Sequence, residues 1–411
     1  MKSANQQGKV MQKKQEWNYQ LIDVMKYLAA IMVICVHCNQ LFPQDYLNFF
    51  IKNILCRIAV PFFFISSAYF VRKGSKTNDN YVKTYLKNLI ISYCFWSIIF
   101  IPIGLDWIHQ NLDLSGYLLP FALLYGLVHI GTYYHLWYVP AMILAIFFVH
   151  KLLKRYSYKA LFTLSIALFL FGSMESYYGL LPPGWFKDFF DILIKVIFTT
   201  RSGIFYGIIF TLIGFFLYDH QDNIISLSKY LSILTLLSFI LLIIEGTFLY
   251  GIERLDMNFM IMLIPFSFFF FQWILVCPIT FKFHTKKLRE LSKYYYFIHP
   301  VCIVIVEEIG QGLGLPLLSS GIISLLLIIL LTQMVSSLII KTKHPLNKPF
   351  VLLSPLLGML VTMLLASIFF SFKLDEIMIK FELVPCLWFY SSFLIYGILS
   401  RIRIDKKPIM Q

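Results

Sequence analysis

Charge is what this chain has least of. Only 14% of its 411 residues are Asp, Glu, Lys or Arg, against about 25% in soluble globular domains. With 59% hydrophobic residues and a mean hydropathy of +0.75, that scarcity excludes a water-soluble domain. Short segments of alternating hydropathy are also missing, which excludes a membrane β-barrel. There is no clear inverted repeat of the kind many transporters carry, and no low-complexity tract beyond aromatic runs such as Phe268 to Phe271. No small-residue cleavage site follows the first apolar run, so it is expected to stay as a span. Cysteines number seven, an odd count, and almost all lie in apolar runs. Cys35-x-x-Cys38 has redox spacing but reads as buried small side chains in a lipid-depth helix.

What is present is a series of apolar runs of about 20 residues, each long enough to cross the hydrocarbon layer. The expected class is therefore all-α, a polytopic membrane protein. Spans are expected near 21–41, 50–71, 88–107, 136–150, 160–178, 203–218, 229–250, 257–279, 294–313, 318–340, 350–371 and 384–400. Segment 112–134, broken by Gly116, Pro120, Gly126 and Gly131, reads as re-entrant or peripheral. Segment 179–202 mixes aromatics with charges and reads as an interfacial helix or lid. The net charge of +14 invites a nucleic-acid reading, but its placement argues against one. Most Lys and Arg fall on one side of this topology, as at Arg72-Lys73, Lys83 and Lys87, Lys151 to Lys159, and Lys282 to Lys293. By the positive-inside rule both termini are expected in the cytoplasm, with the protein in the plasma membrane. The charge then reports topology and attraction to the lipid bilayer.

Within this apolar background a few polar residues stand out. Asp23, Lys26, Ala30, Val33, His37 and Gln40 share one stripe of the first helix at about 100° per residue. Leu21, Leu28, Met32 and Val36 lie on other parts of its surface. An imidazole at membrane depth is a functional-site hypothesis by default; the plain alternative is a hydrogen bond to a neighbouring helix. Arg57 enters the second span from the outer side to a depth of about 10 Å, and His37 stands roughly 24 Å up from the inner end of its own span. The two arrive at similar depth on consecutive segments, so adjacency is expected. Arg57 has snorkelling to headgroups as its alternative. His135, in His135-Leu-Trp137-Tyr138, opens the fourth span beside interfacial anchors. Arg201 precedes Gly203 at the outer start of the sixth. His299 precedes Pro300 near the inner start of the ninth, followed by Glu307 and Glu308, one of which is expected to face inward. Lys83 and Lys87 read either as topogenic charge or as a dock for donor phosphates.

These blocks resemble the acyltransferase-3 family of integral-membrane O-acyltransferases. Ile22-Asp23-x-x-Lys26-x-Leu28-Ala29 running to His37, then Arg57-x-x-x-Pro61-Phe62-Phe63-x-x-Ser66, are similar to its opening. His135-Leu-Trp-Tyr138, Arg201-x-Gly203-Ile-Phe205 and Tyr296-Phe-Ile-His299-Pro300 follow in the expected order. The resemblance implies a ten-helix acyltransferase-like bundle, with two extra C-terminal transmembrane helices here. The chain then divides into a polar tail (1–20), a membrane acyltransferase-like domain (21–340), and an added helix pair with a basic C-terminus (341–411). It implies transfer of an acyl group, commonly acetyl, from acyl-CoA as co-substrate to a hydroxyl of a surface glycan or lipid-linked sugar. No tightly bound cofactor, metal or nucleic acid is expected. His37 and Arg57 correspond to the family's catalytic His and Arg; His135 and Arg201 are acceptor-side candidates, and Lys26, Lys83, Lys87 and His299 donor-side candidates. Lys26 stands where Arg is common, Lys83 and Lys87 stand near an Arg pair of some members, and Ser67 replaces a usual Gly. Arg-to-Lys exchange is not conservative at bidentate phosphate sites. No soluble hydrolase-like extension is seen, so any second transfer step is expected from another protein. His37 would act as general base or as a covalent acyl relay. The rivals are an exporter or flippase of a glycan or its lipid-linked precursor, and a sensory or scaffolding membrane domain.

Overall fold

A computed structural model of the chain describes residues 17–111, 119–341, 352–371 and 383–404. Every regular element among them is helical. In order they are α1 (Tyr19–His37), α2 (Asp45–Phe49), α3 (Ala59–Ser75), α4 (Tyr81–Asn111), α5 (Leu119–His129), α6 (Tyr138–Leu152), α7 (Tyr158–Ser173), α8 (Trp185–Ile197), α9 (Ile208–Asp219), α10 (Gln221–Leu227), α11 (Leu231–Phe248), α12 (Leu263–Val276), α13 (Lys286–Gly312), α14 (Pro316–Ser319), α15 (Gly321–Lys341), α16 (Leu353–Ser371) and α17 (Leu383–Ile404). Among the described residues five stretches are long and apolar enough to cross a membrane: Tyr19–His37, Asp45–Ser75, Tyr81–Leu105, Gln221–Gly251 and Gly321–Lys341. Shorter apolar helices include Tyr138–Leu152, Tyr158–Ser173, Gly203–Asp219 and Leu263–Val276. Their outward faces carry bulky apolar side chains, such as Ile233, Leu237, Ile240 and Ile244 on α11 and Leu326, Leu330 and Leu338 on α15. Such surfaces belong against lipid. The chain is an all-α polytopic membrane protein.

α1 is the seam of the bundle. Leu21, Ile22, Ala29 and Val33 pack into one buried cluster with α3, α6, α9 and α12. Ala30, Ile34 and Cys35 pack into a second cluster with α4, α13 and α15. A helix covered on two sides has more than one inward face. Leu28 is exposed as expected, but Leu21 is buried and Val36 lines a pocket, because α13 and α3 flank α1 together. The expected single stripe is thus only part of the buried surface.

The second span is not a uniform α-helix. A π-turn (Phe50–Leu55) and a 3-10 turn (Cys56–Ile58) join α2 to α3, so the α-helical register is interrupted on the approach to Arg57. Another π-turn, Gly203–Gly207, opens the segment into α9. Such departures from i→i+4 bonding recur at functional sites. α13 begins at Lys286, earlier than the expected 294, and runs through Pro300. Pro300 has no N–H for the Tyr296 carbonyl, and the His299 ring instead bonds the neighbouring Tyr295 carbonyl, Nδ1 to O 2.9 Å. α16 and α17 pack on each other and lean on α4, with Phe393 against Phe95 and Trp96 at centroid distances of 5.8 and 5.6 Å.

One end of the bundle is basic and is locked by a carboxylate. Asp219, the last residue of α9, accepts from Arg72 Nε (3.0 and 2.9 Å) and Nη2 (2.6 Å), and from the Tyr158 hydroxyl (2.7 Å). This ties α3, α7 and α9 together. Lys76 adds a longer contact of 3.4 Å from a side chain that is half exposed. Charged hydrogen bonds of this kind contribute about 1.5–3 kcal/mol each when shielded, whereas exposed pairs contribute about 0–1 kcal/mol. Arg72→Ala is therefore expected to lower the thermal unfolding midpoint in detergent clearly, and Lys76→Ala to leave it within error. Equal effects from the two would contradict the lock.

Candidate active site

His37 is the last residue of α1, and the end of that helix is held from the neighbouring segment. Lys52 Nζ donates to the Cys38 carbonyl at 2.5 Å, a cation at a helix C-terminus where unpaired carbonyls concentrate. The imidazole stacks on His299 (centroids 5.3 Å, 18° between planes) and lies 4.7 Å from the Tyr134 ring. His135 meets His299 edge-on at 5.5 Å. His37, His135 and His299, from three separate segments, therefore form one cluster. His299 and His135 are buried. His299 Nδ1 faces a carbonyl and so carries the proton, leaving Nε2 with no hydrogen bond among the described residues. Both ring nitrogens of His135 are likewise unpartnered. Buried nitrogens without partners are rare in structures and mark places where a water or substrate group belongs. Among the described residues no group of His, Cys, Asp or Glu is arranged to hold a metal.

Arg57 lines the same pocket as His37, together with Val33, Val36, Val60, His135, Arg201 and Tyr296. Its guanidinium is not left to snorkel. Nη1 donates to Asn258 Oδ1 at 2.8 Å, and Nη2 to Asn53 Oδ1 at 2.9 Å. The second contact spans four residues within the one segment. Asn258 passes the connection on by donating through Nδ2 to Asp256. Arg201 stands 3.7 Å from the other oxygen of Asp256 and over the Trp137 ring at 5.1 Å. Two guanidiniums thus share one carboxylate, and the pocket keeps an excess of positive charge. It is small, about 30 Å³, enough for a water or a compact acyl group.

A second space of about 340 Å³ lies toward the basic end. Its cations are Lys26, Arg289 and Lys293, and its neutral polar lining includes Ser67, Tyr85, Asn88 and Ser92. Asp23 braces this end from α1, accepting from Thr285 (3.2 Å) and pairing with Arg289 (3.6 Å). Phe63, Tyr138 and Tyr296 line both spaces. Tyr138 packs on Tyr296 at 5.5 Å and on Phe63 at 6.1 Å, so a wall of rings divides the large cavity from the histidine pocket. Lys83 and Lys87 are exposed at the same end and do not line the cavity; on α4 they point away from the face bearing Tyr85, Asn88 and Ser92. Arg72 is engaged by Asp219 and Lys73 by the Tyr19 hydroxyl. His299, grouped by sequence with the donor-side candidates, lies in the histidine cluster instead, because α13 starts early and carries it farther along the bundle. Of the two carboxylates beyond it, Glu307 has an oxygen shielded from solvent.

Sequence reasoning passed over the residues that hold the two arginines. Glu175, just past α7, is buried. Its carboxylate accepts from the Thr199 hydroxyl (3.0 Å) and the Thr200 N–H (2.7 Å), while its carbonyl accepts from the Leu255 N–H (2.9 Å). One residue thereby fixes the backbone on the way to Arg201 and the backbone on the way to Asp256. Gly203 completes the approach: a Cβ there would stand 2.6 Å from the Ala141 carbonyl oxygen, so only glycine lets this segment lie against α6. Asn53 sits at a helical spacing that sequence could have flagged, but Glu175, Asp256 and Asn258 lie in loops with no local signal. Glu175→Ala leaves the buried Thr200 N–H unpaired, at about 1–3 kcal/mol, and is expected to lower turnover about tenfold or more. Glu175→Gln, which keeps one acceptor, should fall between. A Gln variant as impaired as Ala would contradict the positioning role.

Comparison with known proteins now gives this geometry a context. Residues 19–341 match the acyltransferase-3 family, described as Acyltransferase domain. The chain is 29% identical over 337 residues to a serine/alanine racemase of Enterococcus gallinarum, covering 79% of this chain and 46% of the relative. It is 28% identical over 340 residues to an amino-acid racemase of Enterococcus faecalis, again covering 79% and 46%. It therefore spans about half the length of these relatives. No solved structure matches. The match covers most of the chain and takes in all the pocket residues described above, and the chain belongs to the acyltransferase-3 family.

Proposed function

We propose that this enzyme transfers an acyl group, acetyl foremost, from acyl-CoA to a hydroxyl of a cell-surface glycan or lipid-linked sugar. In this reading the basic end faces the cytoplasm. The observation that carries it is the pair of spaces on either side of one aromatic wall. The larger, with Lys26, Arg289 and Lys293, suits an elongated anionic donor whose phosphates take lysines as point charges. Ser67, Asn88 and Ser92 suit the amides of its pantetheine arm. Lys83 and Lys87, exposed at that end, would attract the donor from solution.

The chemistry follows from the smaller pocket. A hydroxyl attacks a thioester only if its proton leaves in the transition state, and His37 takes it as general base. The carbonyl oxygen gains charge as the new C–O bond forms. Arg57, held by Asn53 and Asn258, meets that charge where low dielectric strengthens the interaction, with Arg201 beside it. The C–S bond then breaks, and the proton on His37 passes to the departing thiolate. His135 and His299 back His37, and their unpartnered nitrogens suit the acceptor's other hydroxyls or a water. A second reading rests on the relatives named for serine/alanine and amino-acid racemisation, with serine as the hydroxyl-bearing acceptor.

The test is mass spectrometry of surface glycan, lipid and free amino acids from cells with and without the protein. An acyl-sized mass gain on glycan or lipid is expected, and one on serine alone would transfer the assignment to the second reading. His37→Ala should lower the gain by about 10²–10⁴-fold with membrane abundance unchanged. Undiminished acylation in that variant would overturn the role of His37.

A further inference from the structure

The acyl-transfer chemistry does not use α8, and the surface of α8 is anomalous for a loop helix. Trp185, Phe189, Ile192 and Val196 are 79%, 50%, 62% and 67% exposed. At 100° per residue they fall in one sector about 60° wide. Next to them around the helix come Phe186, Leu193, Ile197 and the fully buried Phe190, which turn toward the bundle; Phe190 packs on Phe171 at the end of α7, centroids 5.8 Å apart. The remaining arc carries Lys187, Asp188, Asp191 and Lys195. Two of these are tied to the neighbouring turn: the Tyr178 hydroxyl donates to Asp191 at 2.7 Å, and Lys187 lies over the Tyr178 ring at 4.4 Å. The apolar arc is therefore wider than the protein covers, and the polar arc is continuous and wet. That division is the signature of a helix lying in the plane of a membrane surface.

Two further facts identify the occupant of the uncovered sector. The surface adjoining it is already lipid-type, since α7 exposes Leu164 and Leu170 on the helix against which Phe190 packs. The chain also leaves the bundle direction at each end of α8. Gly184, after Pro182-Pro183, has φ +140°, and Phe198 is the one non-glycine residue with positive φ, +62°, among the described residues. On either side of Phe198 the backbone is pinned, by the Tyr125 hydroxyl to the Ile197 carbonyl (2.8 Å) and by His129 to the Thr199 carbonyl (3.0 Å). Arg201 follows two residues later.

We infer that α8 is a bilayer-seated interfacial helix, with Trp185, Phe189, Ile192 and Val196 sunk at the boundary of headgroups and acyl chains on the Arg201 side of the bundle. The partner is the lipid bilayer itself. Arg201, four residues past the end of α8, then stands close to the lipid surface, whatever acceptor the enzyme uses.

The full-length protein in lipid nanodiscs tests this without any activity measurement, so failure of the acyl-transfer reading leaves the test intact. Lys195→Cys and Phe189→Cys, about 120° apart on the helix, are treated with a membrane-impermeant maleimide, with the parent protein as background; its described cysteines are buried or half-buried. Cys at 195 should react about tenfold or more faster than Cys at 189, the protection expected of an apolar face sunk below the headgroups, with the difference closing in denaturant. Nanodiscs of brominated phosphatidylcholine should quench tryptophan emission less in Trp185→Phe than in the parent. Equal labelling of the two positions, or quenching unchanged by Trp185→Phe, would overturn the assignment.

Discussion

A guanidinium inside an apolar bundle must be given hydrogen-bond partners by several segments at once, and Arg57 imposes that demand on this fold. Stranding a buried charge costs several kcal/mol, so its neighbours are arranged around it. Asn53 reaches it from its own span across a stretch that departs from α-helical bonding. Asn258 reaches it from the loop before α12 and passes the connection to Asp256. Asp256 faces Arg201, whose loop is held by Glu175 and allowed close to α6 by Gly203. Polar support from three parts of the chain thus converges on two positive charges beside His37. The same hydrogen bonds that hold Arg57 inside the bundle fix its guanidinium in the pocket it shares with His37.

The bundle also keeps two groups of cations apart. Lys26, Arg289 and Lys293 line the large cavity, and His37 and His135 with Arg57 and Arg201 line the small one. Phe63, Tyr138 and Tyr296 belong to both linings, so these rings form the boundary between the two spaces. The Tyr296 hydroxyl is fastened to the His135 carbonyl at 2.5 Å, which joins the wall to the histidine cluster. A ring displaced by a donor would therefore be felt at His135 and, through His299, at His37.

Much of this was legible in the sequence. Hydrophobic runs and sparse charge announce the class, and a histidine and an arginine at matched depth on consecutive spans announce the pocket. The limits have physical causes. Periodicity on α1 marked one inward stripe, but a helix at the seam of two clusters buries more than one face, which Leu21 and Val36 illustrate. Lys83 and Lys87 are conspicuous as a pair, yet of the donor-side lysines only Lys26 lines the cavity, and its other cations are Arg289 and Lys293, brought there by the early start of α13. His299 was misplaced along the bundle for the same reason. Glu175, Asp256 and Asn258 carry no spacing signal because their contacts close through tertiary structure between loops.

The measurement that bears most directly on the central claim is a double-mutant cycle on acyl transfer by the purified enzyme in proteoliposomes, using His37→Ala, Arg57→Lys and the two combined. Residues serving one transition state lose their contributions together. The double variant is predicted to retain about the activity of the weaker single variant. Losses that multiply would place His37 and Arg57 in separate roles and contradict a shared catalytic pocket.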